Sequence, residues 1–167
     1  RLSYQGINRD TTIPLFRPFA DSPAVSGPPA LPANTRRTDF YNWLQNSVTA
    51  GGGTPLRNAF DNAGREFQRS GTNSPYAAYP GVVSTEHSCR QNFHIAFTDG
   101  YWNGGFGDPN SINNFDNNNQ TFPTTTSTSS VPVTTYNQPN PYRGATSDTL
   151  ADITLYYWLN DLRPGGG

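Results

Sequence analysis

The run Phe93-His94-Ile95-Ala96-Phe97, closing on Thr98-Asp99-Gly100, constrains this chain more than any other stretch. It is apolar at odd and even positions alike, so as a strand it would present apolar side chains to both faces of a sheet. A strand of that kind is stable only with a layer packed on either side. Thr-Asp-Gly reads as the exit from the strand into a turn, with glycine supplying backbone freedom. The pattern predicts a strand over 92–98, buried on both faces, with the Asp99 carboxylate carried just beyond its end.

The strongest helical signal precedes it. Glycines 51 to 53 end one segment, Thr54 reads as an N-cap, and Pro55 reads as the first helical residue, where a missing N–H costs nothing. Leu56, Ala59, Phe60, Ala63 and Phe67 then fall on one stripe, while Arg57, Asp61, Arg65 and Gln68 are expected to face water. Thr38 is read as the cap of an earlier helix running from Asp39 to about Val48, with Phe40, Trp43 and Leu44 on one face. Asp148 is read as the cap of a last helix from Thr149 to about Leu162, stopped by Pro164. Residues 1–8 alternate weakly as a short strand, whereas 14–33 and 70–88 read as connecting loops. The order strand, helix, helix, strand, helix predicts an α/β sandwich: a mostly parallel, Rossmann-like sheet with flanking helices and long Asn/Thr/Pro-rich loops. In such sheets ligands bind beyond the carboxyl ends of strands, which is where Asp99 is expected.

Composition narrows the function. With 167 residues the expectation is one domain, and with 33% hydrophobic residues it is a small core with long polar excursions. A formal net charge of -1 argues against broad electrostatic capture of nucleic acid or an anionic membrane. No apolar run is long enough for a bilayer span. The abundance of Asn, Thr and Ser suits an extracellular protein, in which Cys89, the single cysteine, would find a partner only outside these residues. Residues 103–146 are so poor in apolar side chains that they read as a low-complexity surface insertion, relieved by a short edge strand at Val131 and Val133.

Several side chains could carry chemistry. A hydroxyl at Thr54 and a carboxylate at Asp99 are hard oxygen donors of the kind Mg²⁺ or Mn²⁺ takes. The helix start beneath Thr54 is partially positive, so carboxylates must offset it. Both groups are expected to converge on one rim of the sheet. Tyr101 and Trp102, directly after Asp99, either flank a bound partner or cover the core. Asp148 with Asp152 is read as a cap plus a favourable first-turn acid, and Asp108 with Asp116 as a solvated loop rather than a Ca²⁺ site. His87, Cys89 and His94 lack an orienting acid, so no enzyme chemistry is expected.

These motifs resemble two of the three metal-binding loops of a von Willebrand factor A domain; the other loop, DxSxS, is absent from the sequence. A wider series is more specific: Gly-Gly-Thr-Pro-Leu-Arg-Asn-Ala at 52–59, Cys-Arg-Gln-Asn-Phe at 89–93, Thr-Asp-Gly-Tyr-Trp-Asn at 98–103 and Asp-Thr-Leu-Ala-Asp-Ile at 148–153. With Tyr-Tyr-Trp at 156–158 and Asp-Leu-Arg-Pro at 161–164, it resembles the PilY/PilC family of type IV pilus tip adhesins and assembly factors. That resemblance implies that residues 1–167 are part of an A-type domain lacking its first strand and DxSxS loop. It further implies an extracellular, pilus-tip protein that meets minor pilins and a host or surface ligand. Thr54 and Asp99 correspond to the second and third metal loops, and the family's calcium site belongs to a propeller that is not in this chain.

Overall fold

A computed structural model of the chain describes residues 1–8, 13–48, 51–87, 90–107, 109–122, 134–136, 143–160 and 162. Cys89, Asp108, Val131, Val133 and Pro164, all singled out above, lie outside the described residues. Among the described residues the order is helix α1 (Arg36–Asn46), helix α2 (Leu56–Gln68), a short 3-10 turn (Gly71–Asn73), strands β1 (Ala77–Tyr79), β2 (Val83–Glu86), β3 (Gln120–Phe122) and β4 (Thr134–Tyr136), and helix α3 (Leu150–Leu159). The chain divides into two compact units, Arg1–Gly53 with Glu66–Phe93, and Thr54–Arg65 with His94–Gly167.

In the first unit, helix α1 starts three residues before the expected Asp39. The N–H groups of Arg37 and Thr38 donate to Asp21 Oδ1 at 2.8 and 3.3 Å, and Thr38 Oγ1 donates to Asp21 Oδ2 at 2.7 Å. A carboxylate remote in sequence therefore does the capping that Thr38 was expected to do, satisfying donors the helix cannot use itself. On this helix Phe40 and Trp43 pack on Tyr4, with ring centroids 5.3 and 4.8 Å away, but Leu44 stays exposed. The proline-rich stretch is more ordered than a loop: Ser22 pairs with Asn34 and Val25 with Leu31 in antiparallel bridges. At the start of the chain the expected strand reduces to one bridge, Leu2 with Arg17. The region expected to be loop at 70–88 contains the β1–β2 hairpin, whose turn uses Gly81 at φ +85. Arg1 and Arg90 both donate to the Ala77 carbonyl, at 2.7 and 2.9 Å.

The second unit is built on the helical pattern. Leu56, Ala59 and Ala63 on α2 are buried, as are Ile153 and Leu159 on α3 and Ile112 in the intervening chain. Burying an Ile or Leu side chain contributes about 1.5–3 kcal/mol, so these residues dominate its stability. Helix α3 begins at Leu150, one residue later than expected, and its cap is Thr149 rather than Asp148. Thr149 Oγ1 accepts from Asp152 N–H at 3.2 Å, while the Asp152 carboxylate accepts the Thr149 N–H at 2.8 Å, a reciprocal capping box. Asp148 instead takes a positive φ of 60 and donates its N–H to the Asn113 carbonyl at 3.0 Å.

Two expectations are overturned. The sheets are not mostly parallel: β1 with β2 and β3 with β4 form separate two-stranded antiparallel pairs. Nor does 92–98 form a strand; it runs without ladder pairing, and Phe93, Ile95 and Phe97 are 78%, 73% and 86% exposed. The physical reason is one and the same. Hairpins close between neighbouring segments, whereas a parallel ladder needs a crossover partner, and no described segment pairs in a ladder with 92–98.

Candidate metal and partner site

Thr54 lies just outside α2. The Ala59 N–H closes the first turn on the Pro55 carbonyl at 3.1 Å, so Pro55 takes the cap position expected of Thr54. The carbonyl of Thr54 accepts from Leu56 N–H at 2.7 Å and from Asn103 N–H at 3.0 Å, and Thr54 N–H donates to Asn103 Oδ1 at 2.6 Å. Asn103 thus grips the Thr54 backbone from both sides. It joins the last residue of the Thr98–Asn103 block to the start of α2.

The helix extends that grip. Arg57 donates to the Gly104 carbonyl at 2.8 Å and to the Asp148 carbonyl at 3.1 Å, and its guanidinium lies 5.9 Å from the Phe106 ring. Asn58 Nδ2 donates to the Gly105 carbonyl at 3.0 Å. Arg57 was expected to face water; it ties two loops to the first turn of α2. Asn103 was not singled out by sequence reasoning beyond its place in the quoted block, since an exposed Asn carries no signal of the backbone it will meet.

Asp99 sits in a bend, exposed, with no hydrogen bond or ion pair to the described residues. Tyr101 is 94% exposed, which leaves its ring off the core, whereas Trp102 is 43% exposed. Of the four sequence-selected residues, Thr54 is joined to the 98–103 block through Asn103, whereas Asp99, Tyr101 and Trp102 project from that block towards solvent. The two named oxygen donors suit Mg²⁺ or Mn²⁺ chemically but make up only part of a near-octahedral shell. Among the described residues no group of three or more His, Cys, Asp or Glu could hold a metal ion. His94 packs edge-on against Phe60 at 4.8 Å, and desolvation there lowers its pKa.

The same unit holds two buried polar groups. Asp61, also expected to face water, is 2% exposed. It accepts from the Tyr157 hydroxyl at 2.7 Å and Asn110 Nδ2 at 3.1 Å, and pairs with Arg65 at 2.9 Å. Asp152, fully buried, accepts the Asp116 N–H at 2.9 Å in addition to capping α3. Asp116 is itself buried rather than solvated, and both its oxygens accept from Gly144 N–H at 3.2 Å. Desolvation pushes its carboxyl pKa up; the Gly144 N–H opposes that, and neighbouring Asp152 reinforces it.

The deciding comparison comes from sequence. The chain is 43% identical over 129 residues to the type IV pilus biogenesis factor PilY1 of Pseudomonas aeruginosa strain PAK, and 40% identical over 129 residues to PilY1 of strain PAO1. Over that stretch the chain belongs to the PilY1-type family of type IV pilus factors. The match to PilY1 of strain UCBPP-PA14 is 43% over 128 residues. Each match takes in 77% of this chain and 10% of the relative, so the chain spans about a tenth of the length of the PilY1 proteins it matches. No family model matches the chain, and no solved structure matches it. No helix among the described residues is long and apolar enough to cross a membrane.

Proposed function

We propose that this chain is a non-enzymatic, cell-surface module of a type IV pilus factor, acting in pilus assembly and adhesion at the pilus tip. The similarity to PilY1 proteins, which carry the name of pilus biogenesis factors, supports the assembly role. The finer reading is that Thr54 and Asp99 contribute oxygen ligands to Mg²⁺ or Mn²⁺ at an A-type adhesion site, whose remaining ligands come from beyond the described residues. The observation that carries it is the Asn103 grip on Thr54, which ties the two motifs to one helix terminus while the Asp99 carboxylate stays exposed. When bound, such an ion supplies an open coordination position for a partner carboxylate. Within the chain, Asn103 and Arg57 hold the rim in place and Asp99 offers the charge that offsets the helix terminus.

Titration calorimetry of the full protein with Mn²⁺ tests this reading. Asp99→Ala is expected to weaken binding at least tenfold; equal affinity in the variant removes the metal mechanism.

A second reading is favoured by the exposure of Tyr101 and Trp102: metal-independent docking of minor pilins or another tip protein through these rings. Exposed aromatic anchors of this type dominate protein interfaces. It predicts pilus assembly that survives Thr54→Ala with Asp99→Ala and fails with Tyr101→Ala and Trp102→Ala. The reverse pattern favours the metal.

A further inference from the structure

We propose that Arg1, Arg17, Arg36 and Arg90 form an anion site that takes a phosphate group. All four belong to the first compact unit, and strand β1 brings three of them together. Arg1 Nη1 and Arg90 Nη1 donate to one oxygen, the Ala77 carbonyl, at 2.7 and 2.9 Å. Two residues further along the strand, the Arg17 guanidinium lies 4.6 Å from the centroid of the Tyr79 ring. Gly81 leaves room for it, since an added β-carbon there would lie 2.6 Å from Arg17 Nη2. Arg36 joins them from α1, donating to the Leu15 carbonyl two residues before Arg17.

These positive charges are drawn together without compensation. None of the four forms an ion pair with a carboxylate among the described residues, whereas Arg37 pairs with Asp21 and Arg69 with Glu66. The crowding registers in the groups themselves: desolvation, then the charges of Arg90 and Arg17, lowers the pKa of Arg1. Desolvation also lowers that of Arg17, opposed by Tyr79 and reinforced by Arg36. A guanidinium does not shed its proton to escape repulsion, so a bound anion is what relieves it. Donors remain for that anion, because a guanidinium carries more N–H groups than the backbone carbonyls engage here. The Arg36 Nε–H, on a residue 9% exposed, is buried without a hydrogen-bond partner. Access is open, since Arg1 is exposed and Arg17 and Arg90 are half-buried.

Charge and shape select phosphate over carboxylate. A carboxylate brings a single charge and the oxygens for one guanidinium fork. A phosphate monoester brings a charge of about -1.5 to -2 and further acceptor oxygens, so several guanidiniums bind it at once. Stacking on Tyr79 holds the planar fork of Arg17 in place for that contact. The inference goes beyond the pilus role and does not depend on a metal at Thr54 and Asp99.

The test titrates inorganic phosphate into the full-length protein by calorimetry. A second arm sediments the protein with phosphatidylcholine vesicles, with and without phosphatidic acid. Saturable binding in the first arm assigns a soluble phosphate, and binding confined to the phosphatidic acid vesicles assigns a phosphate carried on a lipid. In either case Arg1→Gln combined with Arg17→Gln is expected to weaken binding about tenfold or more. Arg37→Gln, at an arginine already paired with Asp21, is expected to leave it unchanged. The double variant should keep its thermal midpoint in phosphate-free buffer, which separates loss of the site from failure to fold. Arg90→Gln, read in the same way, replaces that variant if it unfolds. Absence of binding in both arms overturns the inference. So does binding that the folded variants retain, or acetate bound as tightly as phosphate.

Discussion

Gly64 and Tyr157 are matched in shape: a β-carbon on Gly64 would lie 2.5 Å from Tyr157 Cδ1, far inside van der Waals contact. The ring of Tyr157, on α3, occupies the space that a side chain on α2 would need. It also delivers its hydroxyl to the buried Asp61, one turn earlier on α2. Glycine within a helix costs about 0.5–1 kcal/mol relative to alanine, and here the close approach of the ring offsets that cost.

Gly64→Ala is therefore expected to destabilise the protein, although alanine is the better helix former. Overpacking costs about 1–3 kcal/mol, more than the helix propensity regained. Urea denaturation followed by circular dichroism measures it. An increase in stability would mean that the ring moves aside without loss.

Tyr157 gives the chain an alkaline dependence. Desolvation, then the hydrogen bond to Asp61 and the charge of Asp61, push its pKa above the ordinary phenol value of 10.0. The folded state thus keeps a proton that the unfolded state gives up. The associated stability is present in full below about pH 10 and is lost as the pH rises towards the folded value. Tyr157→Phe is expected to flatten this alkaline loss. At neutral pH it should cost about 1–3 kcal/mol, because the buried Asp61 loses a donor. Denaturation midpoints at pH 8 and pH 11, for both proteins, provide the check.

The capping box at α3 separates into two strengths. Thr149→Ala removes one cap acceptor and is expected to cost about 1 kcal/mol. Asp152→Ala should cost more, about 2–3 kcal/mol, because the N–H groups of both Thr149 and Asp116 lose their acceptor. Thermal unfolding of the two variants orders them; equal losses would confine Asp152 to capping alone.

Asn103→Ala should release the end of the Thr98–Asn103 block from α2. The side chain is exposed, so the expected cost is only about 0.5–1.5 kcal/mol. The sharper readout is the Thr54 amide, which donates to Asn103 Oδ1 and should exchange faster in the variant with α3 unaffected.

Helix α2 was legible in the sequence because its evidence is local. The backbone bonds of a helix join residues four apart, and the stripe Leu56, Ala59 and Ala63 recurs at spacings of three and four, which keeps it on one face. The same holds for α3, where the choice between Asp148 and Thr149 as cap shifted by a single residue. The PilY-type motifs were legible too, as chemistry spelled out along the chain. What tertiary structure alone decided involves pairs distant in sequence: Asp21 capping α1, Arg57 tied to Gly104 and Asp148, and Asp61 buried under Tyr157 and Asn110. A polar residue on a helix looks solvated until the segment that covers it is known. The strand expected at 92–98 marks the same divide. Its apolar run can be read from the residues themselves, but a ladder belongs to two segments, and among the described residues none pairs with it.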